Sequence, residues 1–167
     1  MTSARADALV FFGATGDLVH KELFPALQGL VEDGGIRMPF IGVARSPWTT
    51  EQLRARARDS VEQSGRFDPQ AFEKLAPLLH YISGDYGAPE TYAAVRRALG
   101  GARHPLLYMA VPPSVFPVVT DALAQAGCVD GARVMIEKPF GRDLASAKEL
   151  NRTLRRHFPE EEIFRID

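Results

Sequence analysis

The sequence predicts a doubly wound α/β domain built on a mostly parallel six-stranded sheet. Six short apolar runs alternate with longer amphipathic stretches along the 167 residues. Such alternation builds parallel sheets through right-handed crossovers. Several runs, "ALVFF" and "LLYMAV" among them, are apolar without interruption, as strands covered on both faces are. The first run empties into a glycine turn, "GATGD", that opens a helical stretch, the local arrangement of a mononucleotide-binding half.

The elements follow in order. "ALVFFG" (8–13) is the first strand, and a helix runs from about residue 17 to 33. "FIGVA" (40–44) is the second strand, followed by two helical stretches at 50–63 and 69–77. "HYISG" (80–84) precedes a helix near 89–99, and "LLYMAV" (106–111) one near 114–126. "RVMIE" (133–137) precedes a helix near 143–156, and "EIFRID" (162–167) reads as the sixth strand. No internal repeat or low-complexity linker interrupts the pattern. Because the chain ends on a strand, it is expected to be a segment of a longer protein.

Composition excludes several classes. A net charge of −1 gives no reason to expect nucleic acid or an acidic membrane as partner. The N-terminal apolar run is too short for a signal-peptide core or a membrane span. A lone cysteine, Cys128, cannot form an intrachain disulfide, so a reducing cytoplasm is the expected compartment and an inert, buried thiol the expected state. His20, His80, His104 and His157 are scattered without metal-ligand spacing, and no metal is expected.

Three turns carry chemistry, and all three follow strands, where open α/β sheets bind ligands. In the first, Gly13 is expected to take backbone angles closed to other residues. Gly16 then opens the helix and lets a ligand approach the backbone. The N–H groups and dipole of the helix start favour a pyrophosphate. Asp17, in the first helical turn, is expected to cap backbone N–H groups and to point its charge away from a phosphate. In the second turn, "GVARSP", Arg45 and Ser46 stand where NAD-selective enzymes place a carboxylate. A guanidinium suits a 2′-phosphate and stacks on adenine, with Thr15 adding a hydroxyl, so NADP is the expected coenzyme. In the third, "IEKPFGRD", Lys138 follows the fifth strand and Pro139 is expected to make a cis bond.

Taken together, "FFGATGDLVHKELFPAL", "GVARS", "YMAVPPSVF", "IEKPFGRD" and "FRID" resemble, in that order and over the whole chain, the glucose-6-phosphate dehydrogenase family. The resemblance implies a Rossmann-type NADP-binding domain. It also implies a role in oxidising the C1 hydroxyl of glucose 6-phosphate to 6-phosphogluconolactone, the first step of the oxidative pentose phosphate pathway. In that family a large C-terminal domain supplies much of the substrate pocket and the dimer interface. A homo-oligomer is therefore expected only with that domain, and the segment alone is expected to be inactive.

The resemblance assigns Gly13, Ala14, Thr15, Gly16, Asp17, Leu18, Val19 and His20 to the pyrophosphate turn. It gives Arg45 to the 2′-phosphate, places Asp85 and Tyr86 beside the coenzyme, and sets Pro112 against the nicotinamide. Lys138 is assigned to both substrate and coenzyme. Asp167 matches the aspartate that orients a histidine base outside this chain, a carboxylate fixing an imidazole tautomer. Departures from the family pattern are Val19 for alanine, Glu22 for a basic residue, and Phe116 where some members carry a tyrosine near the coenzyme. A stand-alone NADP-binding module and a sugar oxidoreductase domain of the Gfo/Idh/MocA type are the alternatives. A short-chain dehydrogenase is disfavoured, because no tyrosine is followed by a lysine four positions on.

Overall fold

The computed structural model describes residues 4–166. Its six strands are β1 (Ala8–Phe12), β2 (Phe40–Ala44), β3 (Leu79–Ser83), β4 (Pro105–Met109), β5 (Arg133–Glu137) and β6 (Ile163–Ile166). They form one sheet in the order β3-β2-β1-β4-β5-β6, and every neighbouring pair is parallel. The helices are α1 (Phe24–Gly34), α2 (Thr50–Gln63), α3 (Pro69–Leu75), α4 (Pro89–Leu99), α5 (Phe116–Gln125) and α6 (Leu144–Arg155).

Alternation of side chains along β1 explains the double winding. Ala8, Val10 and Phe12 join one apolar cluster with side chains of α4, α5 and α6. Leu9 and Phe11 join a second cluster with α1, α2 and α3. All five β1 residues are buried, and each fully buried phenylalanine is worth about 1.5–3 kcal/mol. β3 and β6 lie at the edges and are buried at fewer positions.

Helix starts follow local chemistry. Thr49 and Gln52 form a reciprocal capping box on α2, and Asp143 and Ser146 another on α6. Asp68 caps α3 and Pro69 opens it. The helix expected over 17–33 has a break: Val19–Leu23 forms a π-turn before α1, with Phe24 N–H bonded to Val19 O. Pro25 is the cause. Its ring has no N–H to donate and would crowd the Lys21 carbonyl in a regular α-turn, which the wider turn relieves. The stretch near 114–126 likewise opens with a tight 3₁₀ turn at Pro113–Val115 before α5.

Among the described residues no helix is long and apolar enough to cross a membrane. Nor does any group of three or more His, Cys, Asp or Glu side chains there stand ready for a metal. Cys128 is buried, and burial raises its thiol pKa.

Candidate functional site

The strand order places β1 between β2 and β4, so the turn after β1 sits at the switch point of the sheet. Gly13 has φ +82°, and a Cβ there would lie 2.1 Å from Ala110 O at the end of β4. Two separate constraints, conformation and contact, thus demand glycine. The Gly13 N–H is shared between Val43 O at 3.0 Å and the Tyr86 hydroxyl at 2.9 Å. Ala14 N–H also donates to Val43 O, at 3.2 Å, and Gly16 N–H to Gly13 O, at 3.0 Å. The amides of the turn thus divide into two sets. The amides of Gly13, Ala14 and Gly16 hold the turn itself. Those of Thr15, Asp17 and Leu18 find no partner among the described residues. These three amides at a helix start suit an oxygen-rich anion such as a pyrophosphate, which is the fit a dinucleotide requires.

Ala14 and Val19 are buried in the core, so they contribute backbone only. Asp17 is exposed and caps nothing: its carboxylate makes no hydrogen bond among the described residues. The cap expected from it is absent because the turn is already tied internally by the Gly16 N–H to Gly13 O bond. His20 faces α2, where its Nε2 lies 3.2 Å from Gln63 Oε1 and its carbonyl accepts the Ser60 hydroxyl.

At the end of β2, Ser46 Oγ lies 3.0 Å from Thr15 Oγ1, joining the second turn to the first. Arg45 stands beside them, exposed and without an ion pair among the described residues. Tyr81, in the middle of β3, supports this loop from behind. Its hydroxyl donates to Ser46 O at 2.6 Å and to Ala44 O at 3.2 Å. Burial, with Tyr86 nearby, pushes the Tyr81 phenol up to about 12. Trp48 packs on Tyr81 at 6.2 Å between centroids.

Asp85 and Tyr86 follow β3, and both are engaged in structure. The Asp85 carboxylate accepts Gly87 N–H at 2.7 Å, and its carbonyl accepts the Thr91 hydroxyl at 2.7 Å. Tyr86, besides accepting from Gly13, donates to Val43 O at 3.3 Å and packs edge-on against Phe12.

Beyond β4 and β5 lies a second region of the site. Leu18, Ala110, Pro112, Phe116, Glu137 and Lys138 line part of a cavity of about 230 Å³. The peptide between Lys138 and Pro139 is cis. Asp167 lies outside the described residues. Thus the structure gathers the glycine turn, Thr15, Arg45, Ser46, Leu18, Pro112 and Lys138 on one sheet edge. It gives the side chains of His20 and Asp85 to local support.

Two residues escaped sequence reasoning although signals were present. Gly42 interrupts the apolar β2, and a Cβ there would lie 2.8 Å from both Ala14 Cβ and the Phe11 ring. A glycine inside a strand commonly marks such a close approach. Tyr108 interrupts "LLYMAV", and a buried tyrosine usually finds a partner; here it is Glu137 Oε1 at 2.7 Å.

Sheet order, glycine turn and converging strand ends define a dinucleotide-binding domain of the Rossmann type. Within that class, residues 10–167 match the model of the family described as glucose-6-phosphate dehydrogenase, NAD binding domain. The chain belongs to that family.

It is 40% identical over 162 residues to glucose-6-phosphate 1-dehydrogenase 1 of Mycobacterium tuberculosis, covering 97% of this chain and 35% of the relative. Identity to the glucose-6-phosphate 1-dehydrogenase of Saccharomyces cerevisiae is 37% over 170 residues, covering 93% and 34%. The crystal structure of glucose-6-phosphate 1-dehydrogenase from Mycobacterium avium superposes with a TM-score of 0.93 at 42% identity, over 98% of this chain and 36% of that one. A glucose-6-phosphate dehydrogenase solved in complex with glucose-6-phosphate gives a TM-score of 0.85 at 34% identity, over 100% and 37%. The chain spans about a third of the length of the relatives it matches.

Proposed function

We propose that this chain is the coenzyme-binding part of a glucose-6-phosphate dehydrogenase that uses NADP to oxidise the C1 hydroxyl of glucose 6-phosphate to the lactone. The observation that carries the NADP reading is the 3.0 Å contact between Thr15 Oγ1 and Ser46 Oγ. It brings two hydroxyls of the glycine turn and the second strand end together beside an exposed Arg45. A guanidinium flanked by hydroxyls suits a 2′-phosphate and is wasted on a 2′-hydroxyl. The amides of Thr15, Asp17 and Leu18 would hold the pyrophosphate, and the bound coenzyme would supply the hydride acceptor. Lys138, on the cavity wall, would meet both coenzyme and sugar phosphate. The orienting carboxylate of Asp167 belongs to this reading, as do a cytoplasmic setting and assembly into oligomers through a further domain.

The test is calorimetric titration of NADP and NAD against the wild-type chain and Arg45→Ala. One charge-assisted contact is worth about 1.5–3 kcal/mol, so NADP affinity is expected to fall roughly 10- to 150-fold. NAD affinity should stay within about twofold. Equal losses for both nucleotides would overturn the assignment of Arg45 to the 2′-phosphate.

A further inference from the structure

Among the described residues, four serine and threonine side chains are buried: Ser60, Thr91, Thr120 and Thr153. Three of them are hydrogen bonded, Ser60 to His20 O, Thr91 to Asp85 O and Thr120 to Phe116 O. Thr153, on α6, is 3% exposed, and its hydroxyl finds no partner among the described residues. It does not turn back onto the carbonyl one helical turn before it, as Thr120 does at 2.8 Å. Instead Thr153 lines a cavity of about 500 Å³ between α5 and α6. A buried hydroxyl without a partner is costly, and a ligand oxygen that pairs with it removes that cost.

The lining has a direction. Ser146, Glu149, Leu150 and Thr153 stand three and four residues apart and so form one face of α6. At about 1.5 Å per residue that face runs about 10 Å from Ser146 to Thr153. Pro112, Pro113, Pro117 and Pro139 add rigid apolar walls that carry no backbone donor. Two charged side chains belong to the lining, Arg142 and Glu149. Glu149 is paired with Arg152 at 3.1 Å. Asp143, next to Arg142, is occupied in capping α6, accepting the Ser146 N–H at 2.8 Å and its hydroxyl at 2.9 Å. Arg142 itself is exposed and makes no ion pair among the described residues. The groove therefore has a cation at its upper end, an unpaired hydroxyl two helical turns further along, and apolar walls between them. It is distinct from the smaller cavity beside β4 and β5. The two share Pro112, Pro113 and Pro139, while Glu137 and Lys138 line only the smaller one.

We propose that the groove between α5 and α6 is a second ligand site, and that it takes a flat aromatic carboxylate bearing a hydroxyl at its far end. The carboxylate pairs with Arg142. The ring lies against the prolines and Leu150, and the hydroxyl meets Thr153 Oγ1. Charge complementarity selects an anion, because Arg142 is the lining charge that Arg152 does not answer. The proline walls select a rigid body, because a flexible chain loses more freedom on binding. A cavity of about 500 Å³ is of the size that small molecules occupy. The proposal does not depend on the coenzyme reading above.

The experiment titrates three probes into the whole chain by calorimetry, with and without saturating NADP. They are 6-hydroxy-2-naphthoate, 2-naphthoate, which lacks the hydroxyl, and 2-naphthol, which lacks the carboxylate. The wild type is expected to bind the hydroxy acid tightest, by about 2- to 10-fold over 2-naphthoate, the worth of one neutral hydrogen bond. Thr153→Val should abolish that preference and leave 2-naphthoate unchanged. Arg142→Gln should weaken both acids by about 3- to 10-fold, since the guanidinium is open to solvent, and leave 2-naphthol unchanged. Neither variant should alter NADP binding, and NADP should not displace the probes. Displacement by NADP would place the probes in the coenzyme site and overturn the proposal. So would binding of the acids that neither substitution changes, or no binding at all. Sedimentation velocity covers the other occupant. If the chain self-associates and the probes bind only the monomer, the groove is an interface between copies, and the ligand proposal falls.

Discussion

The hydroxyl of Tyr86 accepts the backbone N–H of Gly13 at 2.9 Å, across 73 residues of sequence. The same hydroxyl donates to Val43 O at 3.3 Å, so one phenol ties the glycine turn to the end of β2. Tyr86 was assigned from family resemblance to the neighbourhood of the coenzyme. Its geometry makes it a residue that sets the turn from beneath.

Tyr86→Phe keeps the edge-on packing with Phe12 and removes both hydrogen bonds. Gly13 N–H retains Val43 O at 3.0 Å, so the expected loss of stability is modest, about 0.5–1.5 kcal/mol. Nucleotide affinity should fall several-fold, because the turn is no longer held in one position. Urea unfolding and calorimetry read the two effects separately. Unchanged affinity in the variant would remove Tyr86 from the support of the site.

Two glycines with positive φ should respond to alanine very differently. At Gly13 the added Cβ meets Ala110 O at 2.1 Å, and the backbone has φ +82°. The sheet edge cannot give way there, and a loss of more than about 3 kcal/mol is expected, with the nucleotide site disrupted. At Gly35, the C-cap of α1, φ is +59° but nothing lies within 4 Å. Only the left-handed conformation is penalised, at about 1–2 kcal/mol. Equal losses in thermal unfolding of the two variants would contradict the close contact at Gly13.

All four tyrosines have phenols raised above the ordinary value of 10.0, with burial the leading cause in each. For Tyr81 the value is about 12. A group whose pKa is raised by folding contributes stability that is complete below its unfolded pKa. That stability is lost as pH climbs toward the folded value. The native chain is therefore expected to show less tyrosinate absorbance at pH 10 than the unfolded chain, which is half ionised there. Ionisation should appear together with alkaline unfolding, followed by circular dichroism. A tyrosine ionising at pH 10 in the folded chain would show that its phenol is open to water.

Parts of the site that depend on short stretches were legible in advance. Gly13 follows a strand, Gly16 opens a helix, and Arg45 follows another strand; each statement concerns a few adjacent residues. Partners chosen by the sheet were not legible. The resemblance includes His20 in the pyrophosphate turn, and only the packing of α2 shows its ring against Gln63. The resemblance places Asp85 beside the coenzyme, and only the folded turn shows its carboxylate accepting Gly87 N–H. Pro25 was passed over inside a helical pattern, although its missing N–H calls for the wider turn that the structure adopts. Tyr81 and Tyr108 read as ordinary members of apolar runs, because nothing local names Ser46 or Glu137 as their partners.

The division has a physical basis. Alternating apolar runs and amphipathic stretches suffice for six strands, their helices and a doubly wound sheet, because side-chain period and burial are properties of contiguous residues. Glycine spacing and the residues that follow β2 and β5 suffice to locate the site, because parallel strands deliver their carboxyl ends to one edge. Which side chains then meet depends on strand order and register. Gly13 is barred from carrying a Cβ by Ala110, and Gly42 by Ala14 and Phe11. Tyr86 reaches Gly13 only because β3, β2 and β1 lie side by side. Those contacts come from packing distant segments against a common sheet, and no short stretch of sequence encodes them.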